Sequence, residues 1–387
     1  MVRKDRTINA WQAGILTCVL LFANKILILP SLLYEDTKME AVFVPFVLFA
    51  FELGLVFLFF KLKSKFPNCS FATLLQNLCG KWLSILIYGL IMLFFLGKAV
   101  LLYNVTYMFF KNVIYIDTGT LPYLLCIVVV INHLAVCGLR ALGRTLQLFF
   151  PAILAVTLFS IIVGASGIEA MPLFFTSTAK SFVFSCLRHI SAFGDSIFLF
   201  VFFDRIEIKK GQWKSFFALT GFGMVCVSAI IVISLVIYCY TAFLHPFAFF
   251  ELMSYIKEYG GLGRIDILSM IVLIAFTYFH MAIYMKIFTS SFDTIFPKIK
   301  SIYGVLVFDF AFVLIVNFVV KNLSKTIVYG ESYLPLFSIV AFVILPAVVV
   351  WLLLSKKNGE FEAEKFSFER KNRGKKVAEN DEMRRGM

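Results

Sequence analysis

Residues 18–33 read CVLLFANKILILPSLL, an apolar run interrupted near its middle by Asn24 and Lys25. With its flanks the run extends over residues 12–33. A helix of about 20 apolar residues crosses the hydrocarbon of a bilayer, so this length predicts a membrane span. In that setting Lys25 sits close to the least favourable depth for a cation. An ammonium there costs roughly 2.5–3.5 kcal/mol on insertion scales. How the chain compensates Lys25 decides the architecture.

The rest of the composition supports a membrane as solvent. Of 387 residues, 61% are hydrophobic and 15% charged, and the mean hydropathy is +0.91. A soluble domain averages about 45–50% apolar and about 25% charged residues. The 47 phenylalanines and 15 tyrosines suit lipid-facing surfaces and interfacial belts. The net charge of +13 falls in short clusters between apolar runs with no continuous basic face, which argues against nucleic acid as a partner. The eight cysteines contain no CxxC pair and the four histidines no metal-ligand spacing. Buried free thiols and no metal site are therefore expected. A cleaved signal peptide is not expected at the start, given Lys25, the length of the run and the many spans that follow.

Ten apolar runs are long enough to span: about 12–33, 41–60, 82–110, 120–137, 145–165, 188–204, 215–243, 266–289, 302–320 and 332–354. The third and seventh must tilt or extend beyond the bilayer. With the N-terminus placed in the cytoplasm, 26 of the 36 lysines and arginines fall on the cytoplasmic side, eight on the other, and Lys25 and Lys98 inside spans. This loop-by-loop alternation predicts a multi-pass protein with both termini cytoplasmic. The segments 166–187 and 244–265 carry apolar residues at helical spacing and read as short amphipathic helices on the membrane or over a pore mouth. Residues 356–387 form a basic tail without apolar periodicity, expected to be disordered and to anchor the topology at anionic lipid.

Glu52, Lys98, His133, Asp195, His280 and Asp309 join Lys25 inside the spans. His133 and Asp309 fall near span ends, where a structural role suffices. Lys25, Glu52 and Lys98 are flanked on both sides by apolar residues, so each faces the bundle interior, pairs with another or lines a solute path. Two readings stand: an ion network that only positions helices, or a polar mid-membrane cavity in which a lysine mimics a bound cation. In the sixth run, RHISAFGDSIFLFVFF (188–203), Gly194-Asp195-Ser196 breaks the apolar pattern. Such a break is tolerated where the freed backbone lines a cavity. Irregular spans at positions one and six of ten are the arrangement of two inverted five-helix repeats, with solute held between broken helices.

Several stretches together carry a resemblance to a known family: AWQAGILTCVLLFANKILILPSLL (10–33, with Gln12 and Pro30), FAFELGLVFLFFKL around Glu52, CGLRALGRTLQLFFP (137–151, with Gly138, Arg144 and Pro151), Pro172, ISAFGDSIFLFVFFDRI around Gly194, and GRIDILSMIVLIAF with Arg264 and Asp266. From Gln12 to about Lys356 the chain resembles the B subunits of spore germination receptors, the spore permeases, within the amino acid–polyamine–organocation transporter superfamily. The resemblance implies an all-α, LeuT-like fold of ten helices in a 5+5 inverted repeat, with helices 1 and 6 interrupted. It further implies a receptor that works beside an A subunit and a C lipoprotein in the spore inner membrane. An amino acid or similar nutrient would be sensed at Ala23, Asn24, Lys25, Ile26, Phe193, Gly194, Asp195 and Ser196, with Glu52 and Lys98 as a charge network. No cofactor and no enzymatic activity are implied.

Family members usually have a glycine-rich break in helix 1. Here Lys25 takes the place of a glycine. Its ammonium would either bind the carboxylate of the ligand or fill the site as a tethered cation. The alternative function is an amino acid or organocation permease that needs no partner subunit.

Overall fold

The computed structural model describes residues 7–67, 69–114, 119–166, 168, 178–209, 211–255, 265–319 and 329–354. The predicted tail, Pro172 and Arg264 lie outside the described residues, as do the side chains of Ala23, Asn24 and Asp266. The described part is almost wholly helical. Eight of its helices are long and apolar enough to cross a membrane: Ala10–Leu27, Val44–Lys65, Phe71–Asn112, Leu139–Ser166, Gln212–Leu244, Ile267–Ile295, Ser301–Phe318 and Tyr329–Leu354. The fourth expected span is a shorter apolar helix, Leu121–Val136. The sixth, 188–204, is not a continuous helix.

The first span is assembled from three pieces: α1 (Ala10–Leu20), α2 (Ala23–Leu27) and α3 (Leu29–Thr37). A capping box starts α1: Asn9 Oδ1 accepts from the Gln12 N–H at 2.8 Å, and Gln12 Oε1 accepts from the Asn9 N–H at 3.3 Å. These contacts satisfy amide donors that a helix N-terminus otherwise leaves open. Ala10–Leu27 is the innermost span, 94% buried against 22% for Ser301–Phe318. An all-round apolar helix must be covered either by protein or by lipid, and these two helices take the opposite solutions.

Around this centre stand α4 (Val44–Lys65), α5 (Phe71–Phe109), α6 (Thr120–Val136) and α7 (Leu139–Ser166). Gly80, at φ 80°, kinks α5 and separates a short leading helix from the span proper, a conformation that glycine adopts without steric cost. Next come α8 (Ala179–Arg188), the short α9 (Phe198–Val201), α10 (Gln212–Tyr238), α11 (Ala248–Tyr255), α12 (Ile265–Ile295), α13 (Ser301–Val319) and the last span, Tyr329–Leu354. The first segment expected to be amphipathic yields α8, with Val183, Phe184 and Leu187 exposed. The second yields α11, which is not a surface helix: Phe249, Phe250, Leu252 and Met253 are buried. Its ring-rich face packs into the bundle.

The first and sixth spans also meet at one end of the bundle. Strand β1 (Ile8–Asn9) runs parallel to β2 (Ile206–Glu207), in register Ile8 to Ile206. The Ile8 N–H donates to the Arg205 carbonyl at 2.9 Å. Beside this bridge Lys63 Nζ donates to the Phe203 carbonyl at 2.6 Å. Phe59 meets the rings of Phe200 and Phe203 edge-on at 5.7 and 5.5 Å between centroids.

Candidate functional site

The sixth segment breaks because of Gly194. Its φ of 87° places it in the left-handed region, where a Cβ would be strained. The chain passes from a 3-10 turn at Ile190–Ala192 to another at Asp195–Ile197 before α9 begins. This left-handed step turns successive amides the same way and forms an anion-binding concavity. Glu52 of α4 fills it. Its Oε1 accepts from the N–H groups of Gly194 at 2.5 Å and Asp195 at 3.0 Å. Its Oε2 accepts from the Ser196 N–H at 3.1 Å and from the Ser196 hydroxyl. The backbone that the break frees is thus satisfied by a carboxylate from a neighbouring helix.

The first segment breaks at Leu21 and Phe22, between α1 and α2, and again at Ile28. No glycine is involved. Lys25 Nζ donates back to the Leu20 carbonyl at 3.3 Å, an acceptor at the end of α1, and to Asp195 Oδ2 at 2.6 Å. Lys98, from α5, donates to Asp195 Oδ1 at 2.5 Å and to the Phe193 carbonyl at 3.0 Å. Tyr284 of α12 donates to the same Oδ1 at 2.8 Å, and its oxygen lies 2.7 Å from His280 Nε2. Lys25, Glu52, Lys98 and Asp195 are 0–1% exposed.

Formally the buried quartet holds two ammonium groups, both on Asp195, and two carboxylates, so its charges sum to zero. Aromatic faces complete the enclosure: Phe193 lies 5.1 Å from Lys25 Nζ and Phe94 5.2 Å from Lys98 Nζ. A cation over a ring face is stabilised further when desolvated. The interrupted segments meet where Lys25 reaches Asp195, and Lys98 reaches the same carboxylate from α5. Two cavities of about 30 Å³ each flank the quartet. That size holds a water molecule and is far short of an amino acid.

The first cavity lies between Leu29, Leu101, His189, Ser191, Ala192 and Glu331, the second between Phe22, Ile26, Ser160, Phe250, Ser269 and Phe276. Of the residues expected at a ligand site, Lys25, Phe193, Gly194, Asp195 and Ser196 come together with Glu52 and Lys98. Ile26 instead lines the second cavity. The side chains of Ala23 and Asn24 are outside the described part. The acidic partner of Lys25 is Asp195, whereas Glu52 pairs with backbone amides and the Ser196 hydroxyl. Tyr284 and Phe94 were missed, although each lies four residues from a noted group, His280 and Lys98, on the same helix face.

A second ionic group caps the first cavity. Arg188 bridges Asp36 Oδ1 at 2.7 Å and Glu331 Oε2 at 2.6 Å, and His189 Nε2 lies 2.9 Å from Asp36 Oδ2.

No curated protein matches the chain. A family model described as spore germination protein, the spore permease model, matches residues 7–326. This stretch contains both breaks and all four members of the quartet. Covering more than four-fifths of the sequence, the match shows that the chain belongs to the spore permease family of spore germination proteins.

Proposed function

We propose that this chain is the integral-membrane subunit of a germinant receptor in the spore inner membrane, with both termini cytoplasmic. On this reading it has the LeuT-like 5+5 arrangement of ten helices, senses an amino acid or similar small nutrient beside the two breaks, and signals through an A subunit and a C lipoprotein. The observation that carries the proposal is the Lys25–Asp195 contact of 2.6 Å, which ties one interrupted helix to the other. A nutrient that loosens this contact changes how the two helices sit against each other, and that displacement is a signal a partner subunit can read.

The same geometry favours Lys25 as a tethered cation over Lys25 as the ligand's carboxylate receptor, because its ammonium is already held by Asp195 and the Leu20 carbonyl. The test is germination of spores carrying Lys25→Gly across a panel of amino acids. A changed threshold or a changed ligand preference is expected. An unchanged response would remove Lys25 from the mechanism. Interrupted helices also suit a permease, which labelled-solute uptake by proteoliposomes of this subunit alone would reveal.

A further inference from the structure

The two ends of the broken segments are closed by different chemistry. At the end that loop charges assign to the outside, the closure is ionic and made by side chains. Arg188 joins Asp36, near the end of α3, to Glu331, at the start of the last span. His189 adds a second contact to Asp36, and the Ser191 hydroxyl donates to the Gly330 carbonyl at 3.0 Å. The arginine is 36% exposed. Next to it lies the first cavity, whose lining includes His189, Ser191, Ala192 and Glu331. The Ala192 carbonyl is 3.4 Å from Lys98 Nζ. The cavity therefore runs from the ionic group to the edge of the quartet.

At the opposite end the closure is made of backbone and rings. Parallel strands pair Ile8 with Ile206. The Asn9–Gln12 capping box fixes where α1 leaves that pairing. Phe71 lies 5.3 Å from Phe200 and 6.3 Å from Phe203 between centroids, closing off α9. Ile8, Phe71, Phe200, Phe203 and Ile206 are each at most 2% exposed.

These closures differ in what opening requires. Water already reaches the arginine, which is 36% exposed while Asp36 and Glu331 are 9% and 8% exposed, so the contacts can be exchanged for water from the arginine's side. The backbone bridge offers less of this exchange: Asn9 and Glu207 are exposed, but Ile8 and Ile206 are buried under phenylalanine rings, where parted amides would lose their partners. We infer that the Arg188–Asp36–Glu331 bridge is the movable closure of this protein. Solute then reaches the quartet from that face alone, while the Ile8–Ile206 bridge stays shut. This deepens the receptor reading and rests on it for its biological meaning. It assigns the chain one-sided access, which suits a sensor and does not suit a carrier.

The test reads access directly and needs no nutrient. In a cysteine-free background, Leu101→Cys places a thiol in the first cavity, and a charged, membrane-impermeant thiosulfonate reagent is applied to reconstituted vesicles. Adding Arg188→Gln is expected to raise the labelling rate about tenfold or more. Adding Glu331→Gln, which removes one arm of the bridge, serves where the arginine variant does not fold, and should raise it less. A disulfide between Ile8→Cys and Ile206→Cys should leave the rate within about twofold in either case. Labelling indifferent to both bridge variants, or labelling abolished by the Ile8–Ile206 disulfide, would overturn the inference. Either result leaves the germination test of Lys25→Gly independent, so failure of this mechanism and failure of the receptor reading can be told apart.

Discussion

Two of the places where charge enters the membrane-spanning helices are built differently. In the centre, Asp195 receives Lys25, Lys98 and Tyr284, and Glu52 receives three amides and a hydroxyl. At the periphery, Asp309 of α13 receives, among the described residues, only the Asn132 amide of α6, at 2.8 Å. Asp309 Oδ1 and Asn132 Oδ1 are buried without a partner among the described residues. The central groups join five separate segments of chain, whereas the peripheral pair joins two helices on the lipid-facing rim. Compensation of charge in hydrocarbon scales with how many elements converge. The centre satisfies its backbone as well as its charges, which a broken helix requires.

The strongest way to break this contrast is Asp195→Asn. Both ammonium groups then lose their carboxylate, and uncompensated buried charge costs about 3–5 kcal/mol. We expect little folded protein by fluorescence-detected size exclusion in detergent, with partial recovery in the charge-balanced Lys25→Met, Asp195→Asn double variant. Equal yields of the single and double variants would mean that charge balance is not what holds the centre.

Glu52→Gln comes next. It keeps one acceptor oxygen but loses the charge from several hydrogen bonds, each worth about 1.5–3 kcal/mol to a charged group. A clear drop in thermal unfolding temperature is expected, together with faster proteolysis near Gly194. Lys25→Met should cost less, because Asp195 keeps Lys98 and Tyr284 and only one partner is removed. A larger loss for Lys25→Met than for Asp195→Asn would invert the hierarchy proposed for the quartet. At the small end stands Asp309→Asn. Interhelical polar contacts in membranes average about 0.6 kcal/mol, so its unfolding temperature should stay close to that of the parent. A collapse there would show that the peripheral pair matters as much as the centre.

How much of this was legible beforehand varies residue by residue. Lys25, Glu52 and Lys98 stood out because charges inside long apolar runs are rare, and Gly194-Asp195-Ser196 because such a triplet interrupts an otherwise apolar span. The fourth span was readable as apolar, and the structure trims it to Leu121–Val136. The segment 244–265 looked amphipathic, yet α11 is buried. Periodicity reports that a helix has an apolar face, but not whether lipid or protein covers it. The Arg188–Asp36–Glu331 bridge had no sequence signal at all, since its members are 152 residues apart at one contact.

The amino-acid sequence by itself therefore determined the solvent, the helical class, the approximate spans and which two spans are interrupted, but it placed the first interruption at Asn24-Lys25, which lie inside α2, where the structure breaks the chain at Leu21–Phe22 and Ile28. Each follows from local composition: hydropathy over about 20 residues, and a glycine or a charge where an apolar helix has no use for one. Only the tertiary structure decided the pairings. It gave Asp195 to both lysines, turned Glu52 toward freed amides instead of an ammonium, and left cavities of about 30 Å³ beside the quartet. Coulomb attraction and hydrogen bonding act over a few ångströms through space, and which groups come that close is settled by helix packing, not by their order along the chain.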